Sequence, residues 1–537
     1  MVRATGPAGL IQAHGDDLMH LGAIPRRNAL RFPDRRAYVC GDKEISWRDF
    51  ELFTDRLAYT LKARGVGYRD HVAILGDNSI EFLAVEFSLF KIGAVAVLTN
   101  LGLPAPMLSR QLRHADVKAV FTSNAELRER VESIRDDSGV DIHFTWDPTV
   151  DETFAGRTVD DLVREGKAEL TDRFPLQRIE MEDTALLVFS SGTTGEPKGA
   201  INGYRDVEAK LFCNALAQEF RQWEIGFVGT QLCMGGTQLL SVLPYALLGM
   251  TCVIAPTFDP RDVIKAIEAH RANTMFAVPT MIQDLISHPS FKDADLSCLD
   301  RIISAGAPLP EHLYRAVMAL GIRQFELGGA SETGGGVIIT DVERATKPGS
   351  VGRPYAGYVI RILKQDGEEA EPGEIGEIVI GGDAISKGYY GQPELTATSY
   401  RDGWFFTGDL GKRDKDGYFY YAGRAKDMIL TGGSNVYPRD VEEVLIGAPG
   451  VRQVAVLGLP HPHWGEAVTA FVVCDNPIKE SENRIQEFCR ENLMRIQVPK
   501  AVVFLRDLPK TIHGKVAKQA LSEEYAGLYS DKPAETS

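Results

Sequence analysis

Short, unbroken apolar runs that alternate with helical patterns constrain this chain most. Val72–Leu75, Ala94–Leu98 and Val117–Phe121 are each bounded by turn residues and followed by a helical pattern such as Ile80–Lys91. A strand apolar on both faces must be covered on both faces, and parallel strands need a crossover that a helix supplies. These runs therefore read as buried parallel strands, and the fold class as α/β. The first clear helix starts at Trp47, with Phe50, Phe53, Leu57 and Leu61 at helical spacing. Ser46 is placed to cap it and Gly65 to end it. The alternation returns at Thr251–Ala255, Arg261–His270, Thr274–Val278 and Met281–Ser287, which predicts a second, similar α/β layer.

A chain of 537 residues holds three or four folding units at roughly 150 residues each. Its texture changes near Gly423. Before that point, Glu371–Tyr421 is rich in glycine and carries alternating stretches (Glu377-Ile-Val-Ile, Tyr418-Phe-Tyr-Tyr) that suit a small β unit. After it come strands at Val451–Leu457 and Ala467–Val473, a helix at Glu482–Leu493 and a strand at Ala501–Phe504. The expected architecture is a large N-terminal multi-layer α/β body with a small β unit, residues 1–423, and a smaller C-terminal α+β domain, residues 424–537.

Charge narrows the partners. The formal balance is 59 − 74 = −15, and residues 425–537 hold 13 basic and 15 acidic side chains, so −13 falls on residues 1–424. That sign argues against a nucleic-acid binder or an anionic-membrane binder working through bulk electrostatics, although a local basic site stays open. Seven scattered cysteines without a CxxC read as buried free thiols of a reducing compartment. Asp16 and Asp17 stand where a signal peptide needs its apolar core, so the expected location is cytoplasmic. Ile225–Phe258 holds no charged residue, but Gln231, Gln238, Pro244 and repeated glycines interrupt it; it reads as a core helix followed by a strand, not a membrane span.

The run Phe189-Ser-Ser-Gly-Thr-Thr-Gly-Glu-Pro-Lys-Gly199 directly follows the apolar strand Ala185–Val188. Glycines let backbone N–H groups approach an anion, the hydroxyls of Ser190, Ser191, Thr193 and Thr194 add donors, and Lys198 adds charge: a loop suited to polyphosphate. It is not a Walker A loop, because Gly199 follows Lys198 where that motif has Ser or Thr, and Pro197 disfavours immediate entry into a helix. A plain surface turn is the alternative for a generic Ser/Gly loop, but this order is long and specific.

Ser190–Gly199 resembles the phosphate loop of the adenylate-forming superfamily, which contains acyl-CoA synthetases, firefly luciferase and the adenylation domains of peptide synthetases. Further motifs stand in that family's order along nearly the whole chain. Ser304-Ala-Gly-Ala-Pro-Leu309 resembles its adenine-pocket turn, and Gly328-Gly-Ala-Ser-Glu-Thr333 its Tyr-Gly-x-Thr-Glu segment. Thr407-Gly-Asp409 and Gly423-Arg-Ala-Lys-Asp427 resemble its ribose-binding and hinge motifs, and Pro509-Lys-Thr-Ile-His-Gly-Lys515 its catalytic-lysine motif.

The resemblance implies that a carboxylic acid is activated with ATP to acyl-AMP, releasing pyrophosphate, and then joined to coenzyme A. It implies Lys515, Glu332 and Ser331 as catalytic residues: Lys515 bridging the carboxylate and the α-phosphate, Glu332 and Thr193 holding Mg²⁺, and Ser331 donating to the α-phosphate. Nucleotide contacts are implied for Ser190, Ser191, Gly192, Thr193, Thr194, Gly195 and Lys198, for Gly306, Ala307 and Pro308, and for Gly328, Gly329 and Ala330. Asp409 and Arg424 would take the ribose, and Lys426 would be the pivot on which the small domain swings. The acyl pocket is implied near Met234, Gly235, Gly236, Ala305, Gly328, Thr333 and Gly334. A homodimer is compatible with this reading.

The departures bear on the substrate. Gly328 stands where the family commonly has an aromatic residue beside adenine, and Gly334, Gly335 and Gly336 follow closely. So many glycines either leave room for a bulky acid or bring backbone closer and close the site. The family's aromatic-plus-His gate maps near Cys233-Met-Gly-Gly236 with no His, and Leu430 replaces a common basic residue after the hinge. Acyl-CoA ligation is the first reading. Transfer to a carrier-protein thiol or an amine is the second, and a non-catalytic nucleotide binder the third, disfavoured because Glu332, Asp409, Arg424 and Lys515 are all present.

Overall fold

A computed structural model describes residues 20–150, 154, 156–169, 173–190, 197–474, 482–511 and 516–529. Ser191–Glu196 and Ile512–Lys515 lie outside these, and with them the expected roles of Ser191, Gly192, Thr193, Thr194, Gly195 and Lys515.

The buried runs are parallel strands. His71–Leu75 lies between Val95–Leu98 and Val117–Thr122 in a seven-stranded sheet that continues to Thr184–Ser190 and its antiparallel edge partner Lys198–Gly203. The second layer is a nine-stranded sheet, in which Ile225–Val228 pairs in parallel with both Thr251–Ile254 and Thr274–Ala277. From there Arg301–Ser304 and Arg323–Ala330 extend it, and Gly335–Ile339 returns antiparallel. One large core lies beneath the helices Trp47–Ala63 and Ile80–Ile92 and draws on strands of both sheets. Ser46 caps the first of these helices through its hydroxyl, which accepts from the Asp49 N–H, and Gly65 follows with φ +87°.

The uncharged stretch holds three elements where the sequence suggested two: strand Ile225–Val228, a helical segment Gly235–Leu248 with a wide turn at Gln238–Val242, and strand Thr251–Ile254. Among the described residues no helix is long and apolar enough to cross a membrane. All seven cysteines are free, five of them buried.

The small β unit is a five-stranded sheet that starts earlier than its glycine texture suggests, at Val359, and ends with Phe419–Arg424. A single turn, Ala425–Asp427, then leads to a separate five-stranded sheet beginning at Ile429–Thr431. That sheet carries the helices Pro438–Leu445 and Glu482–Asn492 on its own core. Its strand Ala501–Phe504 runs parallel to Gly465–Cys474, as a compact α+β unit requires.

Glu86, in the middle of helix Ile80–Ile92, is fully buried, and neither carboxyl oxygen has a hydrogen-bond partner among the described residues. Burial pushes this carboxyl up to about 8. The unfolded chain ionises it near its ordinary value of 4.5, so the stability it contributes is complete below that pH and is lost as pH rises through the folded value. Calorimetry is expected to show the wild-type Tm falling between about pH 5 and pH 8 relative to Glu86→Gln. Parallel pH profiles of the two proteins would contradict this.

Candidate active site

In open α/β sheets, ligands sit at the carboxyl ends of parallel strands, where loops are free to diverge. Three of the expected motifs emerge there. Strand Thr184–Ser190 leads into the phosphate loop, which returns as Lys198–Gly203 with Ser190 opposite Lys198. Strand Arg301–Ser304 leads into Ala305–Leu309, where Ala305 is buried, Gly306 turns at φ +88°, and Gly306, Ala307 and Pro308 are exposed. Its neighbour Arg323–Ala330 ends in Gly328-Gly329-Ala330 and leads to Ser331, Glu332 and Thr333.

Glu332 is a buried carboxylate, and its Oε1 accepts the Tyr389 hydroxyl at 2.7 Å. Thr333 is fully buried; its hydroxyl accepts from the Ala330 N–H at 3.0 Å, and its carbonyl accepts the Tyr358 hydroxyl at 2.7 Å. Behind them Lys210 is entirely buried, bonded to Asn202 Oδ1 at 2.5 Å and Asp206 at 3.1 Å. Desolvation lowers the Lys210 pKa, while Asp206 and Glu332 oppose that shift. Tyr389 escaped the sequence reading because its partner is distant in sequence, and Lys210 because it lies in none of the motifs.

The glycines next to Glu332 serve close approach. A β-carbon on Gly329 would stand 2.4 Å from the Gly335 carbonyl oxygen, and one on Gly335 would stand 1.9 Å from the Tyr355 hydroxyl. One on Gly334 would meet the Lys210 stem at 3.0 Å. At these three positions backbone and buried side chains already fill the space a side chain would take. Gly335 and Gly336 also have φ of +134° and +151°, which side-chain-bearing residues rarely adopt. At Gly328 a β-carbon would lie 2.7 Å from Val337 Cγ2. Gly328→Ala is thus expected to cost about 1–3 kcal/mol, and Val337→Ala in the same chain to recover part of it; equal thermal stability of Gly328→Ala and wild type would refute the contact.

Met234 is half-buried and precedes the segment that starts with Gly235 and Gly236. Gly235 packs under Val188 of the strand entering the phosphate loop, where a β-carbon would come within 2.4 Å. Gly236 is exposed. The motif expected to take the ribose lies on the small β unit: Asp409 faces Arg424 across antiparallel strands, with Arg424 Nε 2.9 Å from Asp409 Oδ1. Burial alone would lower the Arg424 pKa, but Asp409 and Tyr421 hold it above the ordinary arginine value. Thr407 Oγ1 donates to the Ile378 carbonyl and accepts the Asp409 N–H, which fixes the turn at Gly408. Exposed Lys426 sits in the single turn between the last two sheets. Leu430 is half-exposed and its N–H donates to Glu466.

This fold, a large two-sheet α/β body with a small β unit and a smaller α+β unit beyond one turn, is that of the adenylate-forming enzymes. The family model for AMP-binding enzymes matches residues 25–390, and that for the AMP-binding enzyme C-terminal domain matches residues 440–515. The chain belongs to the AMP-binding enzyme family, and it is an AMP-forming acid–thiol ligase. It is 34% identical to a feruloyl-CoA synthase of Amycolatopsis over 93% of this chain and 97% of that one. It is 32% identical to a long-chain-fatty-acid–CoA ligase of Mycobacterium tuberculosis over 95% and 99%. Among solved structures, ATP-bound MatB of Rhodopseudomonas palustris is 28% identical over 95% of this chain and 99% of that chain, with a TM-score of 0.86. The same enzyme in its apo form, at equal identity and coverage, scores 0.77.

Proposed function

We propose that this ligase works in two poses, with residues 1–423 holding ATP and a small carboxylic acid while residues 424–537 swing about Lys426. In the first pose a carboxylate oxygen bonds to the α-phosphorus of ATP, the bond to the β-phosphate breaks, and pyrophosphate leaves. In the second the sulfur of coenzyme A, its proton released to solvent, bonds to the acyl carbon and AMP departs. Two anions meet in the first step, so preorganised positive charge governs its rate. Lys198, Arg424 and Lys515 supply that charge, Ser331 adds a donor, and Asp409 accepts from the ribose hydroxyls.

The observation that carries this reading is the Asp409–Arg424 pair, which stands at the boundary of the body, directly before the turn that leads to the C-terminal sheet. The splitting of the chain at that turn supports a swinging domain. Coenzyme A as acceptor is supported by the relatives named above, both of which form CoA thioesters by name. Magnesium fits as well: it usually takes one or two carboxylates together with phosphate oxygens. Among the described residues there is no ready-made cluster of three ligands, so a lone carboxylate plus substrate is the expected arrangement. Glu332 and Thr193 would hold the ion, which when bound neutralises charge on the phosphates. A cytoplasmic location belongs to the same reading, supported by seven free cysteines.

The test offers aliphatic, aromatic and polycyclic acids with ATP, and then coenzyme A or amines, and weighs the products. Acyl-AMP followed by a thioester is expected. An amide as the main product would overturn the acceptor, and absence of acyl-AMP with every acid would overturn the reading.

A further inference from the structure

We propose that Tyr389 is a positioning residue for Glu332, holding its carboxylate in one orientation for the magnesium-dependent binding of ATP. The proposal rests on the reading of Glu332 given above. Its basis is a strap that no motif in the sequence singles out. Residues 386–392 run alongside the strand that leaves the phosphate loop. The Lys387 N–H donates to the Ile201 carbonyl at 3.0 Å, the Ile201 N–H to Gly388 at 2.9 Å, and the Tyr390 N–H to Gly199 at 2.9 Å. Gln392 Nε2 reaches back to the Pro197 carbonyl at 2.8 Å, at the mouth of the loop itself.

The same strap grips Glu332 twice. The Ser386 N–H donates to the Glu332 carbonyl at 2.8 Å, and the Tyr389 hydroxyl donates to Oε1 at 2.7 Å. Tyr389 is itself set from both sides. Its backbone N–H donates to Thr396 Oγ1 at 2.9 Å, and its ring packs edge-on against Tyr400 with centroids 6.0 Å apart. Ser386 in turn is tied to the Tyr400 hydroxyl at 2.7 Å. A buried carboxylate needs donors to stay charged and a fixed rotamer to be useful. Tyr389 meets both needs with one bond to one oxygen, Oε1. The strap therefore ties the carboxylate to the start of the strand Lys198–Gly203.

Tyr389→Phe keeps the ring packing and removes only the hydroxyl. Calorimetric ATP titrations are expected to show magnesium-dependent affinity falling about tenfold to a hundredfold, as for a hydrogen bond to a charged group, with metal-free ATP binding unchanged. In a Glu332→Ala background, Tyr389→Phe should add no further loss, because both changes remove one unit. Tyr390→Phe is the control: it removes a neighbouring hydroxyl, which donates to Asp116, and should keep the wild-type magnesium dependence. Unchanged magnesium dependence in Tyr389→Phe, or losses that add in the double variant, would overturn the proposal. If Tyr389→Phe does not fold, Thr396→Val, which loosens the Tyr389 backbone, must show the magnesium-specific defect or the proposal fails. Wild-type protein that forms no acyl-AMP would count against the proposed function instead, so the two failures are separable.

Discussion

Replacing Lys515 by alanine is expected to abolish carboxylate-dependent exchange of pyrophosphate into ATP, with a loss of at least about a hundredfold to a thousandfold. Transfer from preformed acyl-adenylate to coenzyme A should be spared. The two half-reactions place opposite demands on one cleft. Adenylation brings a carboxylate against a triphosphate and needs a cation between them, whereas thioester formation attacks a neutral acyl carbon. A cation carried on a swinging domain can serve the first and be absent from the second. The link at Ala425–Asp427 is short and unsupported by sheet pairing, as a pivot requires. Equal loss in both assays would mean that Lys515 holds the domain together and does not act in one pose alone.

The second large effect concerns stability. Arg301, the first residue of the strand that leads to the adenine turn, is fully buried. Its guanidinium makes a fork with Glu224, Nη2 to Oε2 at 2.7 Å and Nη1 to Oε1 at 3.1 Å. It also donates to the carbonyls of Gln218 at 3.0 Å and Glu219 at 3.1 Å, and to Asp300 at 2.7 Å. Arg301→Met fits the space but leaves Glu224 charged and buried with its partner gone. Breaking such a pair costs about 3–5 kcal/mol. The double change Arg301→Met with Glu224→Leu should recover much of it, since removing both charges removes the desolvation penalty too. Denaturant unfolding reads both variants, and a single variant as stable as wild type would refute the argument. Nucleotide affinity is expected to weaken with stability, because the adenine turn hangs from this strand.

Elements buried on both faces were plain in the sequence, because water exclusion writes an unbroken apolar run. His71–Leu75, Val95–Leu98 and Val117–Thr122 all fall where the apolar runs placed them. The hydroxyl cap at Ser46 was equally plain, since capping is local. Strand Gly335–Ile339 was not, because two glycines at its start carry no propensity and its pairing partner supplies the register. The site divided along the same line. Asp409, Arg424 and Glu332 were legible as candidates because their motifs are contiguous. Tyr389 lies 57 positions from Glu332, and Arg301 77 from Glu224, so only the folded chain joins them. The glycine wall shows the limit from the other side: a sequence records a missing β-carbon but not what occupies its place.

The strap over Lys198–Gly203 has one more consequence. That strand is the last of the seven-stranded sheet, and its outer row of N–H and C=O groups would otherwise face water as a template for another chain. Residues 386–392 occupy that row. The segment that holds Glu332 thus also keeps the sheet from pairing with its neighbours in a crowded solution, so loosening it would expose the protein to self-association as well as to loss of catalysis.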